Sequence, residues 1–211
     1  MKTIAVIGAG GNAREVAGII RDVGGFEFVG FLADRQGQYD SPLLGTFEWL
    51  KTHKIDCLAM GIGSPGARSI VGDMLLARHP EIEWPALVHP TAYVSRSCHL
   101  GKGTIICVGA IATENVVIGS MSQLNFGCSV GHEANIESGT LINPRATVSG
   151  GVRIGRRVMV GAGATILQYL KIGDDAIVGA GAVVTTNVPS GTTVVGVPAR
   201  PLPQSSPTSS Q

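Results

Sequence analysis

The chain has 211 residues, enough for one large domain or two modest ones. Charged residues make up only 15% of it, the net charge is +1, and the lysines and arginines are scattered, which argues against nucleic acid or an acidic membrane surface as a partner. No apolar run reaches the roughly 18 residues of a membrane span, and glycines interrupt the apolar start early, so we expect neither membrane insertion nor a signal peptide.

The four cysteines predict packed, reduced thiols. They form no C-x-x-C pair and have no histidine at metal-ligand spacing, so we expect no metal site and a cytoplasmic location. Thirty glycines beside 5% aromatic residues are typical of many tight turns between short strands. The cysteines are Cys57, Cys98, Cys107 and Cys128.

The first 87 residues alternate short apolar runs with stretches of helical spacing. Apolar runs predict strands over residues 4–7, 26–32 and 55–60, and apolar spacing predicts helices over residues 14–23 and 67–77. This order is that of a half-size doubly wound unit. We therefore predict an α/β, half-Rossmann-like domain over residues 1–87.

A glycine-rich turn follows the first predicted strand. Gly8, Gly10 and Ala13 approximate the dinucleotide fingerprint, in which glycine permits close backbone approach and the next helix presents free N–H groups to phosphate. Asp34 ends the second predicted strand, where a carboxylate can bind a ribose hydroxyl. A tight turn without a ligand is the alternative. NAD is disfavoured because the second mononucleotide-binding half is missing.

From residue 94 onward an aliphatic residue recurs at every sixth position without a slip in register. This period excludes an α-helix, whose apolar stripe recurs at 3.6 residues, and fits a short strand followed by a tight corner. A second, mostly small series lies two residues earlier, and glycine commonly follows the aliphatic residue, where we expect it to relieve the turn. An ordinary β-sandwich with irregular strand spacing is the alternative. The aliphatic series is Val94, Leu100, Ile106, Ala112, Ile118, Leu124, Val130, Ile136, Ile142, Val148, Ile154, Val160, Ile166, Ile172, Val178 and Val184.

The repeat resembles the left-handed parallel β-helix of hexapeptide-repeat acyltransferases, in which three hexapeptides make one triangular coil. Together with the N-terminal unit, it resembles the sialic-acid O-acetyltransferase superfamily (NeuD/PglD-like), and within it the bacterial nucleotide-4-amino-sugar N-acetyltransferases. The resemblance covers residues 1–202 and is carried by IAVIGAGGNAREVAGII, VHPTAYV, GHEANI and the closing GVPAR. It implies a β-helix over residues 88–200. We expect the Pro/Ser-rich tail, residues 201–211, to be disordered.

The resemblance assigns the catalytic residues. His132 is implied as the general base that takes a proton from the attacking sugar amine, a task suited to an imidazole near neutral pH. Glu133 would orient the imidazole, and Gly150 would hold the developing oxyanion with its backbone N–H. Glu114, stacked one coil below His132 by the 18-residue spacing, is an alternative orienting acid. A solvated surface histidine without a role is the other interpretation of His132.

The ligand sites are also implied by the resemblance. The nucleotide sugar, carrying UDP, GDP or dTDP, would bind at Gly10, Gly11, Asn12, Asp34 and Gly61. Acetyl-CoA, the implied cosubstrate, would bind at Leu141, Ala162 and Ala180. This sequence departs from the family pattern at Leu141, where relatives often have a second histidine, and at Arg145, where they usually have glycine.

The family implies a homotrimer with its active sites between neighbouring β-helices. The sequence itself supports this through apolar residues at outward positions, namely Ile105, Ile111, Phe126 and Met159. Acetyl-CoA-dependent N-acetylation of a nucleotide-linked 4-amino-4,6-dideoxy sugar is therefore the predicted activity. Two alternatives remain, which are O-acetylation of a sugar such as a sialic acid and a non-catalytic β-helix that serves as a scaffold.

Overall fold

The structure, a computed structural model, describes residues 1–34 and 42–202. Within these residues an N-terminal α/β layer is followed by a long parallel β-helix. The N-terminal elements are β1 (Lys2–Ile7), α1 (Gly11–Val23), β2 (Phe26–Leu32), β3 (Leu43–Gly45), a 3-10 helix (Phe47–Lys51), β4 (Cys57–Met60) and α2 (Pro65–Arg78).

The N-terminal sheet has the order β3-β2-β1-β4 and all its described pairs are parallel. The α/β prediction is confirmed, and β2 has the predicted bounds. Helix α1 begins three residues earlier than predicted, because Gly10 takes the N-cap position and its carbonyl accepts the N–H of Arg14 at 3.2 Å. β3 and the 3-10 helix occupy the stretch for which the sequence predicted no element.

The β-helix is built from two-residue strands that return to the same face every 18 residues, so that Ser129 pairs with Thr147 and Asn135 with Arg153. Face 1 carries β5 (Leu87–Val88), β8 (Ile105–Ile106), β11 (Gln123–Leu124), β14 (Leu141–Ile142), β17 (Met159–Val160), β20 (Ile177–Val178), β22 (Thr193–Val195) and β23 (Arg200–Pro201). Face 2 carries β6 (Tyr93–Val94), β9 (Ile111–Ala112), β12 (Ser129–Val130), β15 (Thr147–Val148), β18 (Thr165–Ile166) and β21 (Val183–Val184). Face 3 carries β7 (His99–Leu100), β10 (Val117–Ile118), β13 (Asn135–Ile136), β16 (Arg153–Ile154) and β19 (Lys171–Ile172).

The predicted aliphatic series fills the interior of this three-sided prism. Its members from Ile106 onward are buried in one continuous cluster, with Val94 and Leu100 packed against the lower end. Small polar residues of the second series, such as Thr104 and Ser122, are also buried, and their hydroxyls donate to backbone carbonyls. The aliphatic residues that recur at every sixth position are therefore the inward-facing side chains, as the sequence predicted.

The glycine that commonly follows an inward aliphatic residue has a different role from the one expected. A Cβ on Gly161 would lie 2.5 Å from the backbone N of Ala180, one coil above, and a Cβ on Gly131 would lie 2.7 Å from that of Gly150. These glycines permit the close approach of successive coils. The left-handed backbone of the turn falls two residues later, at Gly163 with φ 66° and Glu133 with φ 60°.

Two glycines of one turn give a stability test of this distinction. We expect Gly161→Ala to lower the free energy of unfolding by about 3 kcal/mol, because the coil above cannot move away without breaking its ladder. Gly163→Ala adds a Cβ with no atom within 4 Å and should lower it by only about 1 kcal/mol, the cost of left-handed backbone. Urea unfolding at matched protein concentration measures both, and equal losses would contradict the close-approach role.

The N-terminal layer packs on face 1 of the β-helix. Val16 and Ile20 of α1 share a buried cluster with Leu87 and Ile105, and Gly72 of α2 lies against Met121. Ile105 is thus covered by its own chain and is not available for the subunit contact that its outward position suggested. The boundary proposed between residues 87 and 88 falls inside β5, the first strand of face 1.

At the carboxyl end β23 pairs antiparallel with β22, and the N–H of Leu202 donates to Thr193. Residues 201 and 202 therefore differ from the disorder expected for the tail, and residues 203–211 lie outside the described residues. None of the helices in the described part of the chain is long and apolar enough to cross a bilayer.

Candidate active site

His132 occupies the turn between β12 and β13, at the edge where faces 2 and 3 meet (the 2–3 edge). Its side chain is 58% exposed, so the ring does not point into the packed interior. The imidazole lies across Gly150 of the next coil, where a Cβ would come within 2.5 Å of Nε2 and 2.6 Å of Cε1. Because residue 150 has no side chain, the ring of His132 can lie against its backbone.

Glu133 is the acidic neighbour of this imidazole. Its carboxylate lies 3.7 Å from Nδ1 of His132, on a residue with φ 60°, the left-handed position of the turn. The Glu114 carboxylate instead accepts a hydrogen bond of 2.6 Å from the Ser97 hydroxyl, which lowers the pKa of Glu114. The geometry thus favours Glu133 over Glu114 as the acid that orients the imidazole.

The backbone N–H of Gly150 has no acceptor among the described residues. The equivalent turn N–H of Arg156 shows what such a group can bind, because it donates to a carboxylate oxygen of Asp174 at 3.0 Å. An oxygen thus fits at this turn position. At the 2–3 edge, Gly150 is half-buried, and its N–H has no such acceptor in the described part of the chain.

Ala162 and Ala180 stack one coil apart at the edge between faces 1 and 2 (the 1–2 edge). Both are exposed, and their N–H groups have no acceptor in the described part of the chain. Leu141 is different, because it lies on face 1 and is only 3% exposed, which leaves its side chain little surface for a coenzyme. Arg145 carries the left-handed φ of its turn, a conformation that explains a preference for glycine there but not the arginine.

The predicted nucleotide turn has the backbone of a phosphate site. Gly8 has φ 96°, a conformation that favours glycine, and α1 begins at Gly11 with no side-chain cap and no acidic residue in its first turn. Gly10 and Gly11 are exposed. Asn12 is half-buried, and its amide donates to the carbonyl of Gly61 at 3.1 Å.

The other two predicted nucleotide contacts lie at the same carboxyl edge of the sheet. Asp34 is exposed just beyond the end of β2, next to β1. Gly61 is buried after β4, where a Cβ would come within 2.7 Å of the Cβ of Ala13, so its glycine is explained by packing against α1. The exposed Asp34 can contact a ligand directly. The buried Gly61 cannot, and its role is to let α1 pack closely.

One chain does not bring its predicted site residues together. The nucleotide turn belongs to the layer packed on face 1, as shown by the hydrogen bonds between Asn12 and Gln123 of β11. His132 lies on the 2–3 edge, which is opposite face 1 in a three-sided prism, and Ala162 lies on the 1–2 edge. Within one chain, these three predicted sites therefore lie on different sides of the prism.

Two polar residues beneath the nucleotide turn escaped the sequence analysis. Gln123 is fully buried on face 1, although the strand alternation marks it as outward-facing, and a polar outward residue gives no signal of burial. Arg68 is fully buried on α2 and donates to Gln123 at 3.2 Å. The described residues contain no cluster of three or more potential metal ligands.

Family models match two parts of the chain. The PglD N-terminal domain matches residues 3–75, which include the nucleotide turn and both helix starts. The bacterial transferase hexapeptide model of six repeats matches residues 133–168, which include Gly150 and Ala162.

Solved structures match nearly the whole chain. The acetyltransferase domain of PglB from Neisseria gonorrhoeae is 32% identical, with a TM-score of 0.89, and the match covers 96% of this chain and 100% of that one. The same domain has been solved in complex with acetyl coenzyme A. Perosamine N-acetyltransferase from Caulobacter crescentus, as a variant in complex with CoA and GDP-perosamine, is 28% identical, with a TM-score of 0.88 and coverage of 95% and 96%.

A curated relative is serine acetyltransferase from Salmonella typhimurium, 29% identical over 170 residues, or 77% of this chain. The match spans only 54% of that relative's length. The extended match to the PglB domain carries the assignment, because it includes both the N-terminal layer and the β-helix. The chain belongs to the NeuD/PglD-like family of hexapeptide-repeat acyltransferases.

Proposed function

We propose that the protein transfers the acetyl group of acetyl-CoA to the amine of a nucleotide-linked amino sugar. The observation that carries the proposal is the exposed imidazole of His132, which lies against Gly150, a residue whose backbone N–H has no acceptor among those described. The two structural relatives support the substrate class, since both are acetyltransferases and one was solved with GDP-perosamine. UDP, GDP and dTDP sugars all remain candidates for this chain.

In the proposed reaction the amine nitrogen attacks the thioester carbonyl directly. The C–N bond forms as the carbonyl becomes a tetrahedral oxyanion, and Nε2 of His132 accepts the proton that the nitrogen must lose. Glu133 stabilises the imidazolium from the Nδ1 side, and the N–H of Gly150 donates to the oxyanion. Collapse of this intermediate breaks the C–S bond and releases CoA, whose thiolate takes up the proton from the His132 imidazolium, which restores the free base.

Two uncapped helix starts support the nucleotide site. Both α1 and α2 begin without a side-chain cap or an acidic first turn, and they follow the adjacent parallel strands β1 and β4. Free N–H groups at helix starts bind phosphate, so the diphosphate would lie over Gly10 and Gly11. Asp34 is placed at the neighbouring strand end to accept hydrogen bonds from the ribose.

Acetyl-CoA would extend along the 1–2 edge, where Ala162 and Ala180 present free N–H groups to the amide carbonyls of the pantetheine arm. The intramolecular contact between Arg156 and Asp174 supports such binding to a turn N–H. A contact of the coenzyme with Leu141 stays a prediction. We place the reaction in the cytoplasm, because the four cysteines are free thiols.

The separation of the edges supports an oligomer with shared sites, and we infer a homotrimer. In such an assembly the 2–3 edge of one copy, with His132, would lie against the 1–2 edge and the N-terminal layer of the next. Exposed Ile111 and Phe126 supply apolar surface on face 2 and at the 1–2 edge.

A thiol-release assay tests the proposed activity. We expect acetyl-CoA turnover with UDP-, GDP- or dTDP-4-amino-4,6-dideoxy sugars, and none with the matching 4-hydroxy nucleotide sugars, free amino sugars or serine. The product should carry one acetamide by mass spectrometry. Turnover with a hydroxyl acceptor would instead support O-acetylation, and the absence of turnover with every acceptor would support the scaffold alternative.

Mixed oligomers test the shared site. We expect His132→Asn and Ala180→Trp each to be inactive alone, the second because an indole blocks the coenzyme edge. After co-refolding in equal amounts, the mixture should recover roughly a quarter of the wild-type activity, since some interfaces pair two intact edges. No recovery, despite mixed oligomers in native mass spectra, would place both edges of one site in a single chain.

A further inference from the structure

Arg68 is a buried cation with too few partners. It lies in the first turn of α2 and is 0% exposed. Nη1 donates to Oε1 of Gln123 at 3.2 Å, whereas Nε and Nη2 have no hydrogen-bond partner among the described residues. A buried guanidinium normally pairs with a carboxylate, and leaving it unpaired is strongly destabilising, so its retention needs an explanation.

The guanidinium is linked to the first turn of α1 through Gln123. Oε1 of Gln123, which accepts from Arg68, also accepts from Nδ2 of Asn12 at 3.2 Å. In return Nε2 of Gln123 donates to Oδ1 of Asn12 at 2.9 Å. One β-helix side chain thus joins the first turns of both helices, and two hydrogen bonds separate Arg68 from the proposed diphosphate site.

The charges that meet at this junction of the two helix starts are positive. Both helix N-termini carry partial positive charge, neither has a side-chain cap, and neither first turn contains an acidic residue. The positive charge of Arg68, which is buried beneath the nucleotide turn, adds to these two partial charges. Burial lowers the pKa of Arg68 to about 9, so the group is still cationic at neutral pH. An anion above the turn would supply the missing counter-charge.

We propose that Arg68 is a buried positioning residue for the diphosphate of the nucleotide sugar, a role that rests on the proposed function. Its charge attracts the diphosphate from within the protein, and its hydrogen bond to Gln123 fixes the amide of Asn12 at the start of α1. Arg68 does not touch the ligand, because its guanidinium is covered on all sides. Its effect is specific to ligands that carry phosphate.

Calorimetric titration of the full chain with UDP, GDP and dTDP tests this role. We expect Arg68→Met to weaken the tightest of the three about tenfold, the effect of one charge at roughly 10 Å in a protein interior. Arg68→Lys should restore most of the affinity. The affinity for the matching nucleoside, which lacks phosphate, should stay within about twofold of wild type. The same is expected of the affinity for CoA, whose proposed site is on the β-helix edge.

Gln123→Glu tests the charge at this junction by a second route and carries the test if Arg68→Met does not fold. The new carboxylate pairs with Arg68, so the melting temperature should rise while the affinity for the nucleoside diphosphate falls at least tenfold. Unchanged diphosphate affinity in either variant, or an equal loss for the nucleoside, would overturn the inference. A wild-type protein that binds none of the three diphosphates would show that the proposed function itself fails.

Discussion

His132→Asn is expected to lower the turnover number for acetyl transfer by a factor of about 10² to 10⁴, the usual contribution of a positioned general base. Asparagine keeps a polar side chain of similar reach in the open turn but cannot accept the proton that the amine must lose. Since the side chain is 58% exposed, the fold should be unaffected. The KM for acetyl-CoA should change little, because the proposed coenzyme contacts lie on the 1–2 edge.

Steady-state thiol release and a thermal melt of each variant measure these effects. His99→Asn is the matched control, because His99 is another exposed histidine of the β-helix, on β7 of face 3. It should retain full activity. A His132→Asn enzyme within threefold of wild type would remove this imidazole from the chemistry, while the fold and family assignment would stand.

Glu133 and Glu114 can be separated in the same assay. Glu133→Gln should lower turnover roughly tenfold, because the uncharged amide would no longer stabilise the imidazolium that forms in the proposed reaction. Glu114→Gln should leave turnover within twofold, since that carboxylate is bound to Ser97. If Glu114→Gln lowered turnover and Glu133→Gln did not, Glu114 would be the acid that orients the imidazole.

The interior of the β-helix was predictable from the sequence because its side chains repeat. Each inward residue, such as Ile136 or Val148, packs on equivalents 18 positions away, so one period encodes every coil. Strands β1, β2 and β4 of the N-terminal sheet were predictable as short apolar runs, whereas β3 was not predicted. The 3-10 helix, by contrast, has no repeat and follows a stretch with weak apolar patterning.

The site was less predictable because its decisive contacts join distant parts of the chain. The 18-residue spacing places Gly150 one coil above His132, but it does not show that the ring lies against this glycine. The burial of Arg68 and Gln123 depends on how the N-terminal layer packs on face 1, which no local pattern reports. The separation of the edges likewise follows only from the order of strands around the prism.

Gly150→Ala is expected to lower the turnover number about a hundredfold by moving the His132 ring, since a displacement of roughly 1 Å at a reacting group can cost that much. The added methyl would occupy the position of the imidazole, 2.5 Å from Nε2. The ring is the far end of a flexible, exposed side chain, so it can swing aside and the protein should still fold. Alanine keeps the backbone N–H that is proposed to bind the oxyanion. The loss of turnover would therefore result from the displaced ring and not from a lost oxyanion contact.

A double-mutant cycle makes this attribution sharp. In the His132→Asn background Gly150→Ala should have almost no further effect on turnover, because the group it displaces is already gone. Gly18→Ala is the control, since its added Cβ has no contact closer than 3.7 Å and should leave turnover unchanged. If the Gly150→Ala loss were the same in both backgrounds, the methyl would act on the substrate or the backbone, and the ring would not be what Gly150 positions.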